Sequence, residues 1–130
     1  MEFRNLSGPA IPPVRGHYSH AAVLENGLVL LSGQKAWLPE TGVLLQGGIA
    51  SQTEQIFSNV EAILRGLDLP LSSIVRVSCH LANIDDYAEF NETYQRRLGD
   101  HRPARTVLGG YRLREGALVE LVFEAYRGKR

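Results

Sequence analysis

Apolar residues recur along the chain with two different periods, and each period predicts a different kind of element. Alternation of apolar and polar residues over 72–83 and 117–126 is typical of half-buried strands. Apolar residues spaced three and four apart over 51–67 and 86–98 predict amphipathic helices. With two early apolar runs and a further alternating stretch at 104–113, the predicted order is strand–strand–helix–strand–helix–strand–strand.

Short signals mark several boundaries in the first half of the chain. An Asn-Gly pair at 26–27, between the two early apolar runs, is the strongest short-range signal of a β-hairpin. The chain before these runs, through Pro13, predicts an irregular lead-in. Ser51 and Glu54 have the spacing of a capping box, so they predict the start of the first helix, and Gly66 predicts its end.

Similar signals define the elements of the second half. Asp86 and Glu89 predict the start of the second helix, and Gly99 predicts its end. Between the helices, the alternating strand places its apolar residues on one face: Val75, Val77, Cys79 and Leu81.

The last two strands, at 104–113 and 117–126, are separated by a short turn, which predicts a hairpin about Glu115. In that hairpin, the residue that pairs with Glu120 lies five positions along the strand from Arg105. Five residues of an extended strand span about 17 Å. That distance is too long for both side chains to hold one small molecule. We therefore expect either irregular pairing or a site that takes the two groups from different chains, and we favour the second.

These elements predict an α+β fold in which two helices pack on one face of a mixed β-sheet. On the last strand, the residues expected to face the helices are Ala117, Val119, Leu121, Phe123 and Ala125. The other face carries Val122 beside Glu120 and Glu124, which makes it more apolar than a simple solvent face. Such a face predicts a partner surface, and a homo-oligomer is the economical choice.

Composition and charge narrow the class of protein. We expect one domain, residues 1–130. The 14 Lys and Arg residues balance 14 Asp and Glu residues, so nothing favours a nucleic-acid partner or an anionic membrane surface. The single cysteine, Cys79, excludes an internal disulfide and a cysteine metal cluster. No stretch is typical of a signal peptide or a membrane span, so we expect a cytoplasmic protein.

Arg105 is the residue that this pattern does not explain. It shares its strand parity with Val107, Tyr111 and Leu113, so a permanent cation lies on the more apolar side of the strand. A guanidinium in such a place is costly unless an anion meets it. The anion is either an internal carboxylate, from Asp100, Glu120 or Glu124, or the carboxylate of a bound molecule.

Several stretches together are similar to one family, RidA/YjgF, the reactive-intermediate deaminases. They occur in the family's order from about Gly16 to Ala125: "GHYSHAAV", "LVLLSGQ", "TGVLLQGGIASQTEQIFSNVEAIL", "VRVSCHLANIDDYAEFNETY", "RPARTVLGG" and "LVELVFEA". The resemblance implies a chorismate-mutase-like fold, assembled as a homotrimer with sites between subunits. It also implies hydrolysis of enamines and imines of 2-oxo acids, such as 2-aminoacrylate and 2-iminopropanoate, to the oxo acid and ammonia, with no metal and no organic cofactor.

The resemblance also implies roles for individual residues. Arg105 matches the family's carboxylate-binding arginine, and Glu120 matches its water-positioning glutamate. Tyr18 and Ser32 match hydroxyl-bearing catalytic positions. The remaining positions that would line the substrate are Gly33, Asn91 and Val107. Val107 stands where the family's archetype has a cysteine, so thiol chemistry is excluded at that position.

Two other functions compete with imine hydrolysis at this stage. The first is a non-catalytic module that binds 2-oxo acids or amino acids through Arg105, since binding and catalysis would use the same arginine. The second is an endoribonuclease or translation inhibitor, an activity attached to the family by name. The second predicts a basic groove, and the zero net charge argues against it.

Overall fold

The computed structural model describes residues 1–128, in which six strands form one sheet and two long helices cover one of its faces. The strands are β1 (Glu2–Arg4), β2 (Ala21–Val23), β3 (Leu28–Leu31), β4 (Ile74–Leu81), β5 (Ala104–Leu108) and β6 (Val119–Tyr126), and the helices are α1 (Ile49–Gly66) and α2 (Tyr87–Leu98). The strand order is β1-β2-β3-β6-β4-β5. β4 and β5 are parallel, and the other neighbours are antiparallel. No helix within residues 1–128 is long and apolar enough to cross a membrane.

The helix-facing side of the central strand β6 was predicted correctly. Its alternate residues from Val119 to Ala125 are fully buried, at 0% exposure. Phe57 of α1 contacts this face, and its ring centre lies 5.7 Å from that of Phe123 in an edge-to-face arrangement. The same ring lies 5.6 Å from the ring of Tyr94 on α2, so one aromatic cluster joins the sheet to both helices.

Two turn signals are also confirmed. β2 and β3 pair antiparallel across the Asn-Gly turn, with Val23 opposite Val29. Gly27 has a φ of 98°, a conformation that favours glycine. Gly99 follows α2 with a φ of 62° and ends it as expected.

The capping box predicted for the first helix was wrong. α1 begins at Ile49, and its N-cap is Gly48, which has no side chain to act as a cap. Ser51 lies inside the first turn, where its hydroxyl donates a hydrogen bond to the carbonyl of Gly48. Glu54 instead accepts from two arginines of α2: it lies 2.9 Å from Arg96 and 2.7 Å from Arg97. The glutamate therefore ties the two helices together and does not close a helix end.

The start of β4 differs from strict alternation. A β-bulge shifts the register between Ile74 and Arg76. Because of this extra residue, Ile74 is fully buried and Val75, predicted to be buried, is 44% exposed. Val77, Cys79 and Leu81 point into the core as predicted.

The predicted hairpin between the last two strands was also wrong. β5 pairs in parallel with β4, with Arg105 opposite Val77, whereas β6 lies on the other side of β4, with Glu120 opposite His80. Parallel pairing requires a crossover, which α2 supplies between β4 and β5. After β5 the chain crosses the end of the sheet, where the amide of Tyr111 donates to the carbonyl of Leu81. Arg105 and Glu120 are thus separated by a whole strand.

The lead-in contains one more element than predicted. Residues 2–4 form the edge strand β1, which pairs with β2. Two of these three residues are charged, and the segment is mostly exposed. Backbone pairing with β2 holds it in the sheet, and a hydrophobic pattern cannot reveal that.

Candidate active site on two faces of the sheet

Except for Val107, the residues predicted to form one site line two cavities on opposite faces of the sheet. Arg105 and Asn91 line a cavity of about 450 Å³ under α2, on the helix side. The other cavity, of about 760 Å³, lies on the face that the helices leave uncovered. It is lined by Tyr18, Ser32, Gly33 and Glu120. We call these the arginine cavity and the glutamate cavity.

Helix α2 holds the guanidinium of Arg105 through neutral groups. One terminal nitrogen donates to the Asn91 side-chain oxygen at 2.7 Å, and the other donates to the Tyr87 hydroxyl at 2.8 Å. The guanidinium carbon lies 4.7 Å from the ring centre of Tyr94, close enough for a cation–π contact. These contacts orient the cation without neutralising it.

The internal carboxylates considered as partners of Arg105 do not pair with it. Glu124 pairs with Arg76 at 3.5 Å, on the other face of the sheet. Among residues 1–128, no carboxylate oxygen lies within 4.0 Å of the Arg105 guanidinium. A guanidinium has five N–H donors, so donors remain to bind an anion in the cavity. The choice left open by the sequence is decided against internal pairing.

Two groups near Arg105 are kept neutral by burial. Burial raises the pKa of the Cys79 thiol to about 12, although the charge of Arg105 acts in the opposite direction. Burial likewise raises the pKa of the Tyr94 hydroxyl well above its ordinary range. Cys79 therefore packs as a small apolar residue and is no nucleophile. Val107 lies on the same side of β5, half-buried against the core, and lines neither cavity.

In the glutamate cavity, the Glu120 carboxylate lies against the backbone of Gly33. A methyl group placed on Gly33 would lie 3.2 Å from the carboxyl carbon of Glu120 and 3.4 Å from its nearer oxygen. Ser32 donates its hydroxyl hydrogen to the carbonyl of Ser19 at 2.6 Å, so its oxygen remains free to accept. In the part of the chain that the structure describes, Glu120 forms no ion pair.

Tyr18 stands at the rim of the same cavity. It is 39% exposed, and its hydroxyl accepts only a long contact, 3.5 Å, from the amide of Arg15. The hydroxyl can therefore turn toward a bound molecule or a water. The structure thus brings Tyr18, Ser32, Gly33 and Glu120 together, and it keeps them apart from Arg105 and Asn91 within one chain.

Comparison with known proteins identifies the family. A family model described as endoribonuclease L-PSP matches residues 9–127. The chain belongs to this family, RidA/YjgF. A RutC family protein of Pyrococcus abyssi is 34% identical, over 89% of this chain and 91% of its own. The human 2-iminobutanoate/2-iminopropanoate deaminase is 30% identical, over 96% and 90%. The crystal structure of RidA from an Antarctic Psychrobacter superposes with a TM-score of 0.86 at 31% identity, covering 95% and 98%.

The family's printed names disagree about activity. The family model carries the word endoribonuclease, whereas the human relative is named as an imine deaminase. Membership therefore establishes the α+β fold of this RidA/YjgF chain and leaves its reaction to be argued from the two cavities.

Sequence reasoning missed several residues of both cavities. In the arginine cavity they include Tyr94 and Arg102. In the glutamate cavity the charged residues missed are Arg15, Lys35, Arg114 and Glu115. Lys35 had a usable signal, because it follows Gly33 by two residues and so shares its strand face. Tyr94 lies on the predicted second helix, but its contact with Arg105 depends on how that helix packs. The others come from segments without periodicity, whose positions depend on long-range contacts.

Histidines do not form a metal site in this part of the molecule. His20 is buried, and its two ring nitrogens contact the amide of Leu6 at 3.0 Å and the carbonyl of Pro12 at 2.8 Å. Within residues 1–128, no three His, Cys, Asp or Glu side chains come together as metal ligands.

Proposed function

We propose that this RidA/YjgF protein is a hydrolytic deaminase of enamines and imines derived from 2-oxo acids, of the 2-aminoacrylate and 2-iminopropanoate type. The observation that carries the proposal is the state of Arg105. Its cation is held by neutral side chains, has no carboxylate partner among residues 1–128 and lies beside a cavity. The carboxylate of an imino acid matches the paired donors of a guanidinium.

We further propose that the active site is completed between subunits of a homotrimer. Arg105, on the edge strand β5 of one subunit, would then reach the glutamate cavity on the uncovered face of its neighbour. The opposite faces occupied by the two residues support this arrangement, because no single chain can present both to one small molecule. The apolar character of the uncovered face, where Leu108 is 47% exposed, also supports an interface there.

The reaction needs only water, a base and an acid. An enamine first takes a proton at carbon to give the imine. Glu120 accepts a proton from water as the water oxygen bonds to the imine carbon, and the nitrogen takes a proton, giving a carbinolamine. The nitrogen then takes a second proton, the hydroxyl loses its proton and the carbon–nitrogen bond breaks, so that ammonia leaves and the 2-oxo acid is the other product. One imine and one water give one 2-oxo acid and one ammonia, so the reaction consumes no oxidant or reductant.

The remaining residues position the reactants. Ser32 offers an acceptor oxygen and Gly33 an accessible backbone beside Glu120. Tyr18 would hydrogen-bond the substrate or the water from the rim, and Asn91 orients the guanidinium of Arg105. Val107 supports the strand that carries Arg105, and we assign it no direct contact with substrate.

We take the cytoplasm as the compartment. Cys79 is a free, buried thiol, which suits a reducing environment. The zero net charge gives no reason to propose a nucleic-acid partner.

The proposal is tested by imine loss. An amino-acid oxidase generates imines from a panel of amino acids, and trapping with semicarbazide reports how much imine survives. We expect wild-type protein to accelerate imine loss and Arg105→Ala to lower kcat/KM by about a hundredfold or more, because two charge-assisted hydrogen bonds are lost. Arg65→Ala, an exposed arginine of α1 outside both cavities, is the matched control and should behave as wild type.

The other outcomes point to the competing functions. Binding of 2-oxo acids without any acceleration over the panel would leave a non-catalytic binding module. Salt-sensitive cleavage of RNA by the purified protein, with no effect on imines, would support an endoribonuclease. Equal activity of Arg105→Ala and wild type would remove Arg105 from the site.

A further inference from the structure

Lys35 is a buried cation in the wall of the glutamate cavity. The residue is 7% exposed. Its ammonium lies 3.8 Å from a carboxylate oxygen of Glu115 and 5.6 Å from the ring centre of Trp37. Lysine is rarely buried unless it is paired, and 3.8 Å is about 1 Å longer than a charge-assisted hydrogen bond. Within residues 1–128, the ammonium therefore has a weak ion pair and no hydrogen-bond acceptor.

The backbone places Lys35 on the same side of the sheet as Glu120. Gln34 pairs with Leu121 through two backbone hydrogen bonds, of 2.8 and 2.9 Å. Gln34 and Leu121 are buried on the helix side. Since successive side chains of an extended chain alternate between faces, the adjacent Lys35 and Glu120 both point to the uncovered face, where they line one cavity.

This cavity contains more cations than carboxylates. Its permanent cations are Arg15, Lys35 and Arg114, and its carboxylates are Glu115 and Glu120. Arg15 is anchored by donating to the carbonyl of Thr41. One positive charge is thus unbalanced before any neighbouring subunit adds Arg105. A substrate with a single carboxylate would leave one cation without a partner.

We propose that Lys35 binds a second carboxylate, so that the preferred substrates are imines and enamines of amino dicarboxylic acids. This inference rests on the proposed function. Arg105 takes the carboxylate next to the imine carbon, Glu120 delivers water to that carbon, and Lys35 takes the carboxylate at the far end of the side chain. A cavity of about 760 Å³ has room for a five-carbon diacid. The ammonium would then gain the close acceptor that Glu115 does not provide.

A matched pair of substrates tests the role of Lys35. The imines of glutamate and norvaline both have five carbons in the chain, but glutamate ends in a carboxylate and norvaline in a methyl group. The measured quantity is the ratio of kcat/KM for the glutamate imine to that for the norvaline imine. We expect the wild-type ratio to exceed one and Lys35→Met to lower it about tenfold or more, because one charge-assisted contact is lost.

Two further variants separate charge from packing. Lys35→Arg keeps the cation and should keep a ratio above one. Arg65→Met removes an exposed cation far from the cavity and should leave the wild-type ratio. A Lys35→Met ratio equal to that of wild type, or a wild-type ratio below one, would overturn the proposal. Thermal melting of each variant checks that the protein compared is folded.

The inference can fail separately from the proposed function. If wild type accelerates neither imine, the deaminase proposal fails, and calorimetric Kd values for 2-oxoglutarate and 2-oxopentanoate take the place of the rates. We then expect tighter binding of 2-oxoglutarate, and a preference that Lys35→Met lowers about tenfold. Equal Kd values for the two oxo acids in wild type would exclude a second carboxylate site at Lys35.

Discussion

The arginine cavity and the glutamate cavity are built differently, although they belong to one sheet. In the arginine cavity a regular helix holds a single guanidinium by two neutral hydrogen bonds and an aromatic ring. In the glutamate cavity, charges of both signs come from strand ends and loops, and Glu120 rests against a glycine backbone. The first arrangement suits recognition of one fixed anion, and the second suits chemistry on what is bound.

Under the proposed reaction, this difference explains why neither cavity would be sufficient for catalysis alone. A rigid, unneutralised arginine binds a carboxylate but offers no base, whereas the glutamate cavity offers a base but has no arginine held in this way. Proximity of the two is needed for a water to reach a bound imine. The proposed assembly of subunits would bring the two cavities together without rearranging the fold.

The largest effect on catalysis is expected at Glu120, because the glutamate cavity offers a base and the arginine cavity does not. Glu120→Gln keeps the size of the side chain but removes the base, so kcat should fall by about 10² to 10⁴, the usual contribution of a positioned acid or base. Steady-state kinetics on an imine measures catalysis, and calorimetry with the product oxo acid measures binding separately. A change confined to KM would assign Glu120 to binding and erase the distinction between the cavities.

Gly33 gives a smaller and more selective perturbation of the glutamate cavity. In Gly33→Ala the new methyl would lie 3.2 Å from the carboxyl carbon of Glu120, so the carboxylate must move by a few tenths of an ångström. We expect a loss of roughly tenfold in kcat, since misplacing a reacting group by about 1 Å costs about a hundredfold.

Gly48→Ala is the matched control for this substitution. Gly48 has open space where its methyl would lie and lines neither cavity. Equal kcat values for Gly33→Ala and Gly48→Ala would show that the position of Glu120 does not limit the reaction.

The smallest effect concerns the ion pairs that join α1 to α2, the helix that holds Arg105. Burial alone would raise the pKa of Glu54, but hydrogen bonds and charges from Arg96 and Arg97 outweigh it and hold this pKa below its ordinary value. The folded state therefore favours the ionised carboxylate, which stabilises the protein above about pH 4.5 and ceases to do so as pH falls through the lowered pKa. Because Glu54 is partly exposed, Glu54→Gln should cost less than about 1 kcal/mol near neutral pH.

Denaturant unfolding at several pH values measures this effect. The free-energy difference between wild type and Glu54→Gln should shrink as the solution is acidified below about pH 4.5. Glu61→Gln is the control, since Glu61 makes only longer contacts, at 3.8 and 3.9 Å. A difference that stayed constant with pH would mean that the ion pair is not what joins α1 to α2.

Local patterns in the sequence were sufficient for most elements but not for their arrangement. The face of β6, the Asn-Gly turn and the end of α2 at Gly99 depend on neighbours along the chain. The pairing of β5 with β4 depends on the crossover through α2, so alternation at 104–113 could not distinguish it from a hairpin. The bulge before Arg76 adds one residue to a strand, which no periodicity encodes.

In the candidate site, too, some features follow from the local sequence and others depend on the folded chain. The parity of Arg105 indicated a cation on the more apolar side of its strand, because strand parity is a local property. It left open whether an internal carboxylate or a bound molecule meets that cation, and the folded chain was needed to decide. The grouping of Ser32, Gly33 and Glu120 came from family resemblance and not from periodicity. Lys35 was missed because a lysine between a glycine and a loop is ordinarily solvated, and only the folded chain shows that it is buried.

Mixing two inactive variants tests the intersubunit site most directly. Arg105→Ala and Glu120→Gln chains are unfolded together, refolded in equal amounts and assayed for imine hydrolysis beside each variant refolded alone. If each site takes Arg105 from one subunit and Glu120 from its neighbour, about a quarter of the sites in randomly mixed oligomers contain both residues, and about a quarter of wild-type activity returns. A mixture no more active than its separate components would show that both residues act from one chain, which contradicts the account.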